Sequence, residues 1–189
     1  MTVGLMTILE GPLRDEVLRL WRVFEVDYGS VGVQVFDHPN LTFVGAGTCD
    51  LARMLPSLEE LSAELPAVEL KVRGIDCFHE PDRVVYLGVE LSNELAKVHR
   101  AVDDLLVRRC DGLARLYRPG SWVPHITLAM GDLTQEAFDD ARERLAEYDR
   151  EYVVVADRIS LVQSAPQDQG YEVLGQWAVG STGSRSGRS

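Results

Sequence analysis

Two pentapeptides that resemble each other constrain the fold of this chain more than any other feature. Residues 39–43 read PNLTF and residues 124–128 read PHITL, 85 positions apart. The elements around them repeat in one order: strand, helix, strand, pentapeptide strand, helix, strand. The order predicts a duplicated α/β unit with a cleft on its pseudo-dyad, where the two pentapeptide strands face each other.

Hydrophobic periodicity and capping residues predict the individual elements. Helices are expected over residues 12–27, 50–65, 92–110 and 134–149, with Asp50, Ser92 and Thr134 as N-caps and a break at Pro56. Strands are predicted for TVGLMTIL, VGVQVF, the first pentapeptide, VELKVRGIDCF, VVYLGVEL, GLARLY, the second pentapeptide, YVVVADRISLVQS and YEVLGQWAV. The Gly/Ser/Arg tail at 181–189 has nothing to bury, so we expect disorder there and a single bilobal domain over 1–180.

The His-x-Thr pattern of the second pentapeptide suits phosphoryl chemistry. Residues i and i+2 of a strand project to one side, so His125 and Thr127 are predicted to point together and Ile126 toward the core. An imidazole gives or takes a proton near neutral pH, and a hydroxyl hydrogen-bonds a phosphate oxygen. Two such pairs across a cleft would supply a base, an acid and two phosphate clamps. A single His-x-Thr is usually an ordinary pair of strand residues, but its duplication in this chain favours a functional pair.

WVPHITL before a helix, LSNELAKVHRAVDDLL ahead of it, and ISLVQS followed by GYEVLGQWAV together resemble the 2H phosphoesterase superfamily, especially its LigT-like 2'-5' RNA ligases and RNA 2',3'-cyclic phosphodiesterases. The resemblance covers residues 1–180. It implies an α+β fold of two pseudo-symmetric lobes, each an antiparallel-rich sheet with two helices outside, around a central cleft. It also implies metal-independent cleavage of cyclic or 2'-5' phosphodiesters, without a cofactor. Thr42, His125 and Thr127 match the catalytic set of the family, and Asn40 stands at the place of the first histidine.

Asn40 leaves two interpretations open. An amide orients a phosphate or a water but transfers no proton at neutral pH. His38 lies two residues upstream and would share a face with Asn40 and Thr42 if the strand began early enough. Its ring would then stand about 6.5–7 Å from the family position. The simpler interpretation makes His38 a loop histidine before Pro39.

Three further residues are candidate ligand contacts. Arg118 and Trp122 precede the second motif, where a guanidinium could meet a phosphate and an indole could stack on a base. Tyr171 in the last strand is a weaker candidate of the same kind. Each has a structural alternative, such as a Trp that covers the cleft edge and an exposed Arg. His79 is expected to be exposed in a turn, His99 to lie on a helix flank or surface, and no spacing predicts a metal site.

Charge and cysteine content limit the partners and the compartment. A net charge of −11 disfavours an extended nucleic-acid surface but allows a small nucleotide or an RNA end in a local pocket. The apolar runs are too short to cross a membrane. Three scattered cysteines without C-x-x-C spacing predict free thiols in a reducing cytoplasm. We expect a monomer.

Two classes of function follow. The first is a phosphodiesterase acting on a 2',3'-cyclic nucleotide or an RNA end, with His125 as the main proton-transfer residue. The second is a degenerate module that binds a nucleotide or phosphate without turning it over, which Asn40 favours. RNA ligation ranks third, since a joining reaction needs two bound ends.

Overall fold

The chain folds into an α+β structure, known here from a computed structural model that describes residues 3–80, 82–148, 150–165 and 170–180. The predicted disordered tail, 181–189, lies outside the described residues. The elements within the described ranges are β1 (Val3–Ile8), α1 (Gly11–Tyr28), β2 (Asn40–Ala46), β3 (Thr48–Cys49), α2 (Leu51–Glu64), β4 (Val68–Phe78), β5 (Val84–Val89), α3 (Asn93–Arg109), β6 (Cys110–Asp111), β7 (His125–Met130), α4 (Gln135–Arg144), β8 (Glu151–Ala156), β9 (Arg158–Ser164) and β10 (Tyr171–Ala178).

Two four-stranded antiparallel sheets form the two lobes. Their strand orders are β10-β9-β1-β2 and β7-β5-β4-β8. The two pentapeptide strands, β2 and β7, are edge strands that contact each other at the centre of the molecule. The predicted fold class of two pseudo-symmetric lobes around a cleft is therefore confirmed.

The segment YVVVADRISLVQS was predicted as one strand, and this is wrong. The chain leaves β8 at Ala156 and starts β9 at Arg158, with Asp157 between them. Strand β8 pairs with β4 in the second sheet, whereas β9 pairs with β1 in the first. Because one straight strand cannot belong to two sheets, the chain must turn at Asp157. The chain therefore passes directly from one sheet to the other at Asp157 and connects the two lobes covalently.

The segments VGVQVF and GLARLY are not strands either. The first contains a 3-10 helix at Gly32–Val35 and the second one at Arg115–Tyr117. The Asp132 carboxylate accepts the backbone N–H groups of Val31 and Gly32 at 2.6 and 2.7 Å. A side chain about a hundred residues away in the sequence thus satisfies donors that strand pairing would have used. A Cβ on Gly32 would overlap the Met130 carbonyl oxygen, so this close approach requires glycine.

Helix predictions hold better than strand predictions, since caps and periodicity are local signals. Asp50, Ser92 and Thr134 all accept a backbone N–H three residues on, as N-caps do. The break predicted at Pro56 is wrong, because α2 continues through that residue to Glu64. Helix α4 ends at Arg144, five residues before the predicted end.

The prediction of three free thiols is wrong. Cys49 and Cys110 form a disulfide across the two-stranded pair of β3 and β6. They stand 61 residues apart in the sequence, so no local spacing announces the bond. Cys77 is free. The inference from free thiols to a reducing compartment therefore no longer holds. No helix within the described ranges is long and apolar enough to cross a membrane.

Candidate active site

The four motif side chains line one cavity between the sheets. Asn40 and Thr42 come from β2, and His125 and Thr127 come from β7. All four are half-buried, while the residues that alternate with them are buried in the core, as period-two strands require. The cavity has an empty volume of about 460 Å³, and its other lining residues are Trp21, Val33, Phe36, Tyr117 and Met130.

His125 has a fixed tautomer. Its Nδ1 lies 2.8 Å from the backbone carbonyl oxygen of Val123. A carbonyl only accepts, so Nδ1 carries the proton and Nε2 of the neutral ring is left as an acceptor. Burial lowers the pKa of His125, an effect that the hydrogen bond to Val123 partly opposes. The ring therefore stays neutral at neutral pH, which is the protonation state that a general base needs.

Aromatic rings surround the imidazole. Phe78 meets it edge-on with ring centroids 5.1 Å apart, and Tyr86 lies at 5.2 Å. Tyr117 lies 6.5 Å from the His125 ring and lines the same cavity. Burial raises the pKa of Tyr117, so its phenol remains protonated. These rings supply the low-polarity surroundings that lower the pKa of His125.

Asn40 makes the contact in β2 that His125 makes in β7. Its Nδ2 donates to the backbone carbonyl of His38, two residues upstream, at 3.1 Å. His125 likewise donates to the carbonyl two residues upstream of itself. The Thr42 hydroxyl donates to Asn40 Oδ1 at 3.0 Å. Asn40 thus keeps the anchor of a motif histidine and lacks the second ring nitrogen.

His38 does not join the four motif residues. Strand β2 begins at Asn40, so His38 lies in a bend before it and is exposed. It lines a neighbouring cavity with an empty volume of about 590 Å³, together with Asp37, Asn40 and Tyr171. The condition for a shared strand face, an earlier start of the strand, is not met. The structure does not bring His38 and His125 to one cavity.

Trp122 is buried behind the first motif. Its indole Nε1 donates to the Thr42 carbonyl at 3.1 Å, and its ring stacks on His99 with centroids 3.9 Å apart. The prediction that His99 lies on a flank or surface is wrong, since its side chain is only 3% exposed. Its Nε2 lies 2.9 Å from the Tyr117 carbonyl oxygen. His99 therefore supports the loop that carries Tyr117 and Trp122.

Arg118 and Tyr171, the other two candidate ligand contacts, do not line the cavity of the four motif side chains. The Arg118 guanidinium lies 3.2 Å from the buried carboxylate of Asp103 on α3, and Arg118 lines none of the cavities beside the motifs. Tyr171 stacks on Phe36 with centroids 4.5 Å apart and lines the His38 cavity. His79 is exposed, as predicted. The described residues contain no group of three or more potential metal ligands.

A larger cavity opens beside the one lined by the four motif side chains, which is the candidate catalytic cavity. Its empty volume is about 800 Å³, and it shares Tyr117, His125, Thr127 and Met130 with the candidate catalytic cavity. The remaining lining residues are Phe78, Glu80, Asp82, Val84, Leu116, Ser121, Trp122 and Val123. Sequence reasoning missed Phe78, Tyr86 and Tyr117, because no spacing relates them to the motif that they surround.

Comparison with known proteins agrees with this geometry. The 2'-5' RNA ligase superfamily matches residues 33–168 of the chain. A Geobacillus kaustophilus protein named "Putative phosphoesterase" is 25% identical over 132 residues, which cover 70% of this chain and 68% of that protein. Among solved structures, Escherichia coli LigT complexed with 3'-AMP has a TM-score of 0.64 at 18% identity and covers 94% of this chain and 96% of its own. Thermus thermophilus TT0787 has a TM-score of 0.62 at 16% identity, with coverage of 95% and 98%.

The two structural likenesses show the fold, and the match to the superfamily covers more than half of the chain, including both motifs. The chain belongs to the 2'-5' RNA ligase superfamily of 2H phosphoesterases.

Proposed function

We propose that this protein is a phosphodiesterase that opens a 2',3'-cyclic phosphate on a small nucleotide or an RNA end, with His125 as its proton-transfer residue. The observation that carries the proposal is the His125 ring, whose proton is held at Nδ1 while the ring lines a cavity shared with Thr127, Thr42 and Asn40. LigT structures have been solved with 3'-AMP, ATP and NADP+, which supports a small nucleotide as ligand.

The reaction would start at Nε2 of His125. This nitrogen takes a proton from water as the water oxygen forms a bond to phosphorus. The bond from phosphorus to one ribose oxygen breaks, and that oxygen must gain a proton. The Thr127 hydroxyl, which lines the same cavity, would donate a hydrogen bond to a phosphate oxygen.

Asn40 explains why we expect the reaction to be slow. Its amide can hydrogen-bond the leaving oxygen but cannot protonate it, so the leaving oxygen has no second imidazole to supply its proton. The Thr42 hydroxyl already donates to Asn40, and it must release that bond before it can donate to a phosphate. His38 lines a different cavity from His125, so it is poorly placed to act as the acid.

The test is hydrolysis of a 2',3'-cyclic nucleotide by four forms of the protein: wild type, His125→Ala, His38→Ala and His79→Ala. We expect a loss of about 10²–10⁴-fold in His125→Ala and little change in the other two variants. His79 is the matched control because it is exposed and lies outside the catalytic cavity. Activity that survives in His125→Ala would refute the proposal.

The second candidate function is a binding module that holds a nucleotide without turning it over. Asn40 favours it, since the residue keeps the hydrogen bonds of the site and removes one proton-transfer group. Calorimetric binding of a 2',3'-cyclic nucleotide without measurable hydrolysis by wild type would support this alternative. Efficient hydrolysis by wild type would exclude it.

A further inference from the structure

The cleft around the motifs is rich in aromatic groups and poor in positive charge. Three cavities meet there: the catalytic one, the larger one that shares Tyr117 and His125, and the His38 cavity that shares Phe36 and Asn40. Among the described residues, no Lys or Arg lines any of the three. The lining includes three carboxylates, Asp37, Glu80 and Asp82.

Two nearby arginines are bound elsewhere. Arg118 pairs with the buried Asp103. Arg83 donates from Nε to the backbone carbonyl of Leu133 at 3.0 Å, in a neighbouring cavity that shares Asp82 with the larger one. Arginine is the residue that proteins favour for bidentate phosphate recognition, so a cleft that takes several phosphates would normally present one.

The acidic residues stand at both ends of the cleft. Glu80 and Asp82 line the larger cavity on the β4–β5 side, and Asp37 lines the His38 cavity. All three are exposed at the mouth of the cleft. A second phosphate on a ligand that reaches out of the catalytic cavity in either direction would meet a carboxylate, and like charges repel.

We infer that the cleft selects a phosphodiester with a single negative charge, attached to an aromatic or apolar group, and discriminates against ligands that carry additional phosphates. The inference rests on the proposed function and narrows its substrate class. The larger cavity, lined by Phe78, Tyr117 and Trp122, accommodates the uncharged part of the ligand. A cyclic mononucleotide fits this description, and an RNA end with several phosphates does not.

The experiment compares two substrates that differ in one phosphate: adenosine 2',3'-cyclic phosphate and the same compound carrying a 5'-phosphate. For wild type we expect kcat/KM to favour the first by about tenfold or more. The preference should fall at 0.5 M salt, because salt screens charges at an exposed mouth. It should also fall in the double variant Glu80→Gln/Asp82→Asn. The charge-matched control is Glu59→Gln/Glu60→Gln on the exposed face of α2, which should keep the wild-type preference.

Equal or better hydrolysis of the 5'-phosphorylated compound by wild type would overturn the inference and leave the proposed function standing. A preference that is unchanged both in the Glu80/Asp82 double variant and in Asp37→Asn would overturn it too. If wild type hydrolyses neither compound, the proposed phosphodiesterase fails, and the ratio of the two dissociation constants from calorimetry then decides the inference. A ratio near one refutes it, and a ratio of about ten in favour of the singly charged compound supports it.

Discussion

The Asn40→His substitution tests whether position 40 alone limits the chemistry of this cleft. The backbone already offers the hydrogen-bond acceptor that a histidine at position 40 would need. The side-chain amide of Asn40 donates to the carbonyl of His38, just as His125 donates to the carbonyl of Val123. A histidine at position 40 could use the same acceptor for Nδ1–H, which would leave Nε2 as a second proton-transfer atom. The Asn40 side chain already lines the cavity, so an imidazole at this position would project into the same space.

The expected gain follows from the role of the missing group. A positioned general acid or base contributes about 10²–10⁴-fold in rate, which corresponds to about 3–5 kcal/mol of transition-state stabilisation. The substitution also frees the Thr42 hydroxyl from Asn40 Oδ1, so that this hydroxyl can donate to a phosphate oxygen. We therefore expect kcat for a 2',3'-cyclic nucleotide to rise by about a hundredfold or more.

The assay is steady-state hydrolysis followed by chromatographic separation of the nucleotide products. Asn40→Gln is the matched control, because it keeps an amide and should bring no gain. Asn40→His/His125→Ala should lose the gain, since both proton-transfer groups are needed. An Asn40→His protein that folds with an unchanged melting temperature and binds the nucleotide, yet gains less than about tenfold, would refute the reasoning.

Three further predictions concern pH, the disulfide and a buried carboxylate. The value of kcat/KM should fall on acidification as His125 is protonated, with a midpoint below the usual 6.5 because burial lowers the pKa of His125; a higher midpoint would contradict its role as base. Reduction of Cys49–Cys110, which closes a loop with a sequence separation of 61, should lower the free energy of unfolding by up to about 4 kcal/mol in denaturant titrations, while Cys77→Ser should not. Glu16→Gln should lower the free energy of unfolding by about 1–3 kcal/mol in denaturant titrations, since Glu16 is buried and accepts hydrogen bonds from Arg19, Tyr148 and Arg150. The hydrogen bond from Arg19 holds the pKa of Glu16 below 4.5. The contribution of the ionised Glu16 to the free energy of unfolding is therefore present above pH 4.5 and is lost as the pH falls through the lowered pKa. In Glu16→Gln the free energy of unfolding should not show this decrease on acidification.

The sequence could predict the strands of the site because their signal is local. Alternation of polar and apolar residues in PNLTF and PHITL is enough to put Asn40, Thr42, His125 and Thr127 on one side of each strand. The order of elements then predicts that the two strands face each other. Helix starts were equally accessible, since each cap and its partner lie within four residues.

Features that depend on distant contacts could not be predicted. The 3-10 helix at Gly32–Val35 exists because Asp132, about a hundred residues away, accepts the N–H groups of the preceding turn. That turn keeps the chain out of strand geometry until Asn40, and so it decides that His38 does not share the strand face. The Asp157 break between β8 and β9 likewise depends on distant pairing, since β8 pairs with β4 in one sheet and β9 with β1 in the other.

Two tryptophans explain why the cleft keeps its shape without the first histidine. Trp21 on α1 donates from its indole nitrogen to the Thr127 carbonyl, and Trp122, from the loop before β7, donates to the Thr42 carbonyl. Each motif strand is therefore held at its threonine carbonyl by an indole from outside the strand, and neither bond involves residue 40. Asn40 adds its own anchor to the His38 carbonyl. On the proposed function, asparagine at position 40 lacks a proton-transfer group while these anchors stay in place, so the single substitution Asn40→His is the decisive test of that proposal.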